Sequence, residues 1–424
     1  VVLLAAALAF TPVVIRLLAP GFTESEGRFA LAVDLTRITF PYLLMMTLVT
    51  LFSGMLNAID RFAAAAAAPI LLNLTMMLAL AFAAFFPTAG HAAAWGVLAA
   101  GVFELLLVAA DAKRQGIMVG FRRPRWDPDV RRFFVALGPA TVGSAGVQLA
   151  LFADTILASF LSVGALSALY YADRLNQLPI GVIGIAAGTV LLPEMARRIA
   201  AGDEEGASNA QNRAIELTLA LSLPFVAAFI VVPELIMQVL FGRGAFTAAD
   251  AAEAGATLRA YALGLIPFLL IRSVVATFFA RGDTATPVKA SLCAAALNVA
   301  LKVALVTSTA LAQVGLALAT SLGAWINVGL VTLFALRRGL FRIDARLRRS
   351  LLLLGVGLAA VCAAIWMAVE VADYLTAGWT RLRSEVQFVA AVLAGIVVYI
   401  PLIAALFGRN WRSVVQMTRS RPKG

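Results

Sequence analysis

The stretch LLLLGVGLAAVCAAIWMAV, residues 351–369, carries no charge at any position and follows the basic run RLRR at 346–349. An α-helix rises about 1.5 Å per residue and the hydrocarbon core of a bilayer is about 30 Å thick, so roughly 20 apolar residues cross it once. This stretch therefore reads as a membrane-spanning helix with a cationic anchor at one end. Runs of the same kind recur along the chain. Bounded by Gly, Pro and charge, they fall near 1–18, 28–58, 63–86, 91–110, 133–161, 165–196, 210–233, 252–280, 286–308, 313–337, 348–371 and 384–407, about twelve spans in all. None alternates in period two as a barrel strand does. The composition agrees, with 62% hydrophobic and 13% charged residues, against about 45–50% and about 25% in soluble domains. The fold class is all-α, a polytopic membrane protein.

The formal charge of +11 does not call for nucleic acid, because its sources lie in short loops between apolar spans. Basic residues collect at 113–132, 197–213, 337–349 and in the tail at 409–424, each after an even-numbered span. The positive-inside rule places those loops and the C-terminus in the cytoplasm. Gly116–Val130 reads as a short interfacial segment, and the basic tail as a solvated end that meets anionic membrane lipid. Cys293 and Cys362 both fall inside spans, as small core residues rather than a disulfide or a metal pair. His91, the lone histidine, has no Cys or His neighbour, so no metal site is expected.

The chain opens on VVLLAAALAF, in the middle of an apolar helix, which predicts truncation at the N-terminus. Pro41, Asp60 and Asn73 recur at similar intervals as Pro267, Asp283 and Asn298. That spacing predicts a six-helix unit used twice in the same orientation. Expected boundaries are an incomplete first bundle at 1–112, a basic cytoplasmic linker at 113–130, a second six-helix bundle at 131–338, a C-terminal helix pair at 339–408 and the tail at 409–424.

Ionisable residues deep in a span cost at least about 2.5–3.5 kcal/mol each, so they face a wet cavity or a partner. Asp34, Arg37, Asp154, Asp173, Arg174, Arg272 and Lys302 are placed so, four cations against three carboxylates. One reading is structural, acid neutralising base between helices. The other is functional, since surplus cations in a cavity call for an anion, and a guanidinium grips phosphate with two parallel charge-assisted bonds. Arg174 and Arg272, and after them Arg37, are the candidates for a substrate path. Asn298 and Lys302 stand i and i+4 on one helix face, with Asp154 the natural counter-ion, which makes this trio a structural latch. Gly181, Gly184 and Gly188, with Pro179 and Pro193, predict a pliant sixth span, or else close helix packing. No Walker loop, HExxH, GxSxG or carboxylate-histidine set is present in the sequence, which argues against an enzyme.

Eight strings carry a family resemblance: LAPGF (18–22), ITFPYLL (38–44), LNAIDRF (56–62), APILLN (68–73), LYYADRL (169–175), GVIGIAAGTVLLPEMA (181–196), GAFTAADA (244–251) and GDTATPVK (282–289). In this order they resemble the MurJ (MviN) family of lipid II flippases, within the multidrug/oligosaccharidyl-lipid/polysaccharide exporter superfamily. The resemblance implies fourteen helices, of which these would be the last twelve. It implies flipping of the undecaprenyl-pyrophosphate-linked peptidoglycan precursor across the bacterial inner membrane by alternating access, without a cofactor, with the peptidoglycan-synthesis machinery as a further partner. Arg174 matches a cavity arginine that meets the pyrophosphate, Asp173 precedes it in the same motif, and Arg272 falls at a commonly basic position. Spans eleven and twelve match a pair that forms a groove for the lipid tail.

Two departures qualify the resemblance. The family's first two helices carry cavity arginines and acids that this chain lacks, so the chain as it stands is expected to fold in part and not to flip. Some members hold sodium with acids on the helices matching spans five and nine. Asp154 is kept, but Lys302 takes an acidic position, which implies no sodium site. Export of another polyprenyl-linked glycan, or a non-transporting scaffold for envelope assembly, are the alternative functions.

Overall fold

The computed structural model describes residues 1–118, 128–379 and 382–407. Most of the expected interfacial segment Gly116–Val130 and the whole basic tail at 409–424 lie outside the described residues. All regular structure among the described residues is helical, and the chain divides into two units, Val1–Ala145 and Gly146–Gly424.

The first unit begins with two short helices, α1 (Val2–Ala9) and α2 (Thr11–Leu18), where one span had been expected. The break falls at Phe10, just ahead of Pro12. A proline without an N–H fits the first turn of a new helix better than the interior of an old one. A 3-10 turn, Pro20–Glu24, leads into α3 (Glu26–Asn57), followed by α4 (Ala63–Ala81) and α5 (Ala89–Arg114). Thr88 caps α5 by accepting from the backbone N–H of His91, whose Nδ1 also lies 2.8 Å from the Thr88 hydroxyl. Val49, Phe52 and Leu56 of α3 pack with Ala64 and Ala68 of α4 and Val108 and Ala112 of α5.

Small residues let these backbones approach. A Cβ on Gly96 would stand 2.8 Å from that of Ala79, and one on Gly101 only 2.6 Å from the ring of Tyr42. Helices in lipid gain little from hiding apolar surface, so close packing at small residues supplies the attraction.

The helix α6 (Pro128–Ser159) begins in the first unit and ends in the second, where it is followed by α7 (Ala165–Pro179), a π-turn at Ile180–Gly184, α8 (Ile185–Ala200), α9 (Glu204–Val231) and α10 (Pro233–Phe241). Then come α11 (Ala248–Phe279), α12 (Ala285–Ser308), α13 (Ala312–Arg337), α14 (Ala345–Leu375) and α15 (Arg383–Phe407). α11 is central, packing on α7, α9, α10 and α13. A capping box starts it four residues earlier than its apolar run suggests: Thr247 accepts from the Asp250 N–H, and Asp250 accepts from that of Thr247. Gly264 lies against Ser321 of α13, whose hydroxyl donates to the Ala260 carbonyl at 2.7 Å. One turn on, the Trp325 indole donates to the Leu263 carbonyl at 2.8 Å.

Nine helices among the described residues are long and apolar enough to cross a membrane unbroken. The expected sixth span is not one of them, because it is interrupted. Proline at 179 has no N–H to give the carbonyl of Leu175 and crowds it, and the chain widens into the π-turn at once. Exposed side chains on the outer helices are large and apolar, including Leu352, Val356 and Trp366 on α14 and Val397 on α15. Such a surface belongs in lipid.

Many of the basic residues assigned to loops also tie helix ends together. Glu216 of α9 is 1% exposed and receives Arg213, Arg346 and the Ser350 hydroxyl of α14, the last at 2.6 Å. Arg213 also reaches Asp344, the N-cap of α14. Ahead of α12, Asp283 accepts from the Thr286 hydroxyl and N–H and from Arg338, which together hold its carboxyl down to about 2.

Candidate functional site

α7 is an amphipathic helix with a charged side. Ala168, Ala172, Leu175 and Pro179 recur at helical spacing and are buried, the first three in the core that includes Leu258, Leu265 and Leu269 of α11. Two positions past Ala172, about 200° around the helix, Arg174 points away from that core and is exposed. It makes no hydrogen bond or ion pair among the described residues. Asp173, half-buried beside it, accepts from Gln177 one turn along. The register of this motif is set by Tyr171, whose ring lies 4.7 Å from that of Phe241 and meets Phe246 edge-on at 5.3 Å. An aromatic anchor next to two charges leaves those charges little freedom to rotate away.

Arg272 sits on α11 where the π-turn passes. It is exposed and carries no ion pair or hydrogen bond among the described residues. Its stem runs so close to Gly184 that an added Cβ there would stand 3.1 Å from Nε and 3.4 Å from Cδ. The widened turn and the absent side chain therefore make the bed in which this arginine lies.

Asp154 of α6 and Lys302 of α12 are brought together as an ion pair, with the lysine side chain 3% exposed and the aspartate 41%. Asn298 shares the face of Lys302 but turns to α13, donating to the Ala319 carbonyl at 2.7 Å and packing on Gly323. Asp154 and Asp173 both act electrostatically on Tyr261 of α11, so residues of α6, α7, α11 and α12 form one polar group in the second unit. No hydrogen bond or ion pair joins Arg174 to Arg272. Arg37 belongs to the first unit, exposed on α3 three residues from Asp34.

Tyr261 carries no formal charge, so charge inside an apolar run does not mark it. Glu104 and Glu216 do carry that mark, inside the expected spans 91–110 and 210–233, and both are buried. Among the described residues no cluster of His, Cys, Asp or Glu is arranged to hold a metal, and both cysteines are free.

The described residues thus form a polytopic helical bundle in which Arg174 and Arg272 are exposed and make no ion pair. The sequence model of the family described as "Lipid II flippase MurJ" matches residues 1–380. A protein of Rhizobium meliloti named "Probable lipid II flippase MurJ" is 38% identical over 414 residues, covering 96% of this chain and 76% of the relative. A solved structure, "Lipid II flippase MurJ, inward closed conformation", superposes with a TM-score of 0.77 at 22% identity over 98% of this chain and 81% of that one. An inward-facing multidrug resistance MATE family transporter of the MOP superfamily shares the fold at TM-score 0.64 and 16% identity, over 79% of this chain and 76% of that one. The chain belongs to the lipid II flippase MurJ family, and it is a multi-pass membrane protein.

Proposed function

We propose that this protein moves lipid II across the bacterial inner membrane by alternating access, with its C-terminus in the cytoplasm, and that it performs no catalysis. Supporting this, Arg174 and Arg272 are both exposed guanidinium groups that make no ion pair among the described residues, and Asp173, the carboxylate beside Arg174, is engaged by Gln177. Such groups are costly unless an anion visits them, and a pyrophosphate offers oxygens for two parallel bonds to each. Asp173 holds the approach to Arg174 through its bond to Gln177. Arg37 contributes a further cation from the first unit, and the helix pair within 339–408 offers the lipid tail an apolar surface. Boundaries at 112, 130, 338 and 408 divide the first bundle, linker, second bundle, helix pair and tail. Lys302, set on Asp154, supplies as a fixed ammonium the positive charge that a bound cation would otherwise bring. Asn298 braces the latch through α13. The cell-wall synthesis machinery is the partner that consumes the delivered precursor.

The test is translocation of fluorescent lipid II in proteoliposomes made with the natural protein, alongside a polyprenyl-linked glycan of different sugar composition. Lipid II alone should cross, in sodium-free buffer as in sodium. Equal transport of the other glycan would redefine the substrate, and transport of neither would leave an assembly scaffold.

The bed of Arg272 gives a further expected result in the same assay. Gly184→Ala puts a methyl group against the arginine stem and should slow translocation a few-fold, whereas Gly181→Ala meets open space and should not. Equal rates in the two variants would remove the π-turn from the positioning of Arg272.

A further inference from the structure

Glu104 stands in the middle of α5 and is 2% exposed. Among the described residues, the elements packed most on α5 are α3, α4 and the short turn Ala83–Phe85. α4 and that turn carry no titratable side chain. On α3, Tyr42 faces Glu104, while Asp34 and Arg37 lie one to two turns away and are exposed. On α5 itself the nearest charge is Asp111, about 10 Å along the axis, with Lys113 and Arg114 beyond it and His91 about 20 Å away at the other end.

A carboxylate left without a cation in this environment is costly, and the neutral acid is the form such a site holds. Among the described residues the polar contact of this carboxyl is with Tyr42, whose Oη lies 3.5 Å from Oε2.

The site is also built. Gly101, one turn before Glu104, receives the Tyr42 ring so closely that a Cβ there would be 2.6 Å from Cδ2. Tyr42 follows Pro41, which has no N–H to give the carbonyl of Arg37 and so marks the point where α3 bends most easily. A bend there would carry the tyrosine out of its notch and open the carboxyl to water.

We propose that Glu104 and Tyr42 form a proton-binding site, through which the first unit takes up and releases one proton as α3 moves during transport. With α3 seated, Glu104 is the neutral acid. With α3 withdrawn, its O–H bond breaks, the proton passes to water and the carboxylate is solvated. The binding half of this inference stands on the site itself; the coupling half rests on the transport reading above.

Infrared difference spectra of the purified natural protein test the first half. A carboxylic-acid carbonyl band should be present at neutral pH, absent in Glu104→Gln and shifted upward in Tyr42→Phe, where its donor is gone. No difference between wild type and Glu104→Gln would mean an ionised Glu104 and overturn the proposal. Proteoliposomes with an imposed proton gradient test the second half. Wild-type translocation should change several-fold with the gradient, and Glu104→Gln should run at one rate regardless. A gradient response equal to wild type in Glu104→Gln would overturn the coupling. Failure of all proteins to move lipid II would defeat the transport reading while the infrared band still decides proton binding.

Discussion

Asp154→Leu is expected to destabilise the second unit by about 1–3 kcal/mol, less than the usual cost of breaking a fully buried ion pair because the aspartate is 41% exposed. The cost comes from what remains, because Lys302 is 3% exposed and would keep its ammonium among apolar groups with no carboxylate. The reciprocal change, Lys302→Met, should cost less. Asp154 is 41% exposed, and a carboxyl so placed can take up a proton or a solution cation in place of the lysine. The double variant Asp154→Leu/Lys302→Met removes both charges and should recover most of the loss, since a well-packed apolar pair is often as stable as an ion pair. Thermal unfolding in detergent, read for all three, checks the order. Equal losses in the single variants, or no recovery in the double, would mean that the pair is not a latch. Sodium-dependent stabilisation of Lys302→Met alone would show that the ammonium stands where a cation otherwise binds.

Arg174→Ala should abolish most translocation and leave stability unchanged. The side chain makes no hydrogen bond or ion pair among the described residues, so nothing in the fold is left unpaired when it goes. What is lost is a charge-assisted contact to substrate, worth about 1.5–3 kcal/mol or roughly 10- to 150-fold in the rate at low substrate. Arg174→Lys should recover part of that, because an ammonium keeps the charge without the two-pronged geometry. The rate measured in proteoliposomes, beside the melting temperature of the same preparations, separates the outcomes. A fall in both together would make Arg174 a structural residue, and full activity in Arg174→Ala would remove it from the path.

The membrane class was legible at once, because a bilayer imposes a length and a polarity that a string such as residues 351–369 satisfies without reference to any neighbour. Candidate ions were legible for the same reason, since charge inside an apolar run is conspicuous. Lys302 and Asp154 were nameable as partners only from helical spacing and opposite sign; that Asn298 leaves them for the Ala319 carbonyl depends on how closely α13 approaches at Gly323. Two of the expected spans did not emerge whole. Proline near an end can start a helix, as at Pro12, or widen one, as at Pro179, while Pro41 and Pro267 are carried inside continuous helices. Which outcome prevails depends on whether neighbouring elements support the freed carbonyl, and local sequence does not carry that.

Amino-acid sequence by itself determined the all-helical membrane architecture and which charges fall inside apolar runs, through hydropathy and spacing that act along one chain segment at a time. Tertiary structure alone decided which of those charges are neutralised and which stand open. Among the described residues Glu216 pairs with Arg213 and Arg346, Glu104 meets a phenol, and Arg174 and Arg272 make no ion pair, although all lie in similar apolar runs. The physical reason is range. Ion pairs and hydrogen bonds form over a few ångströms between helices that can be more than a hundred residues apart, as Glu216 and Ser350 are, so their pairing is set by packing rather than by sequence proximity.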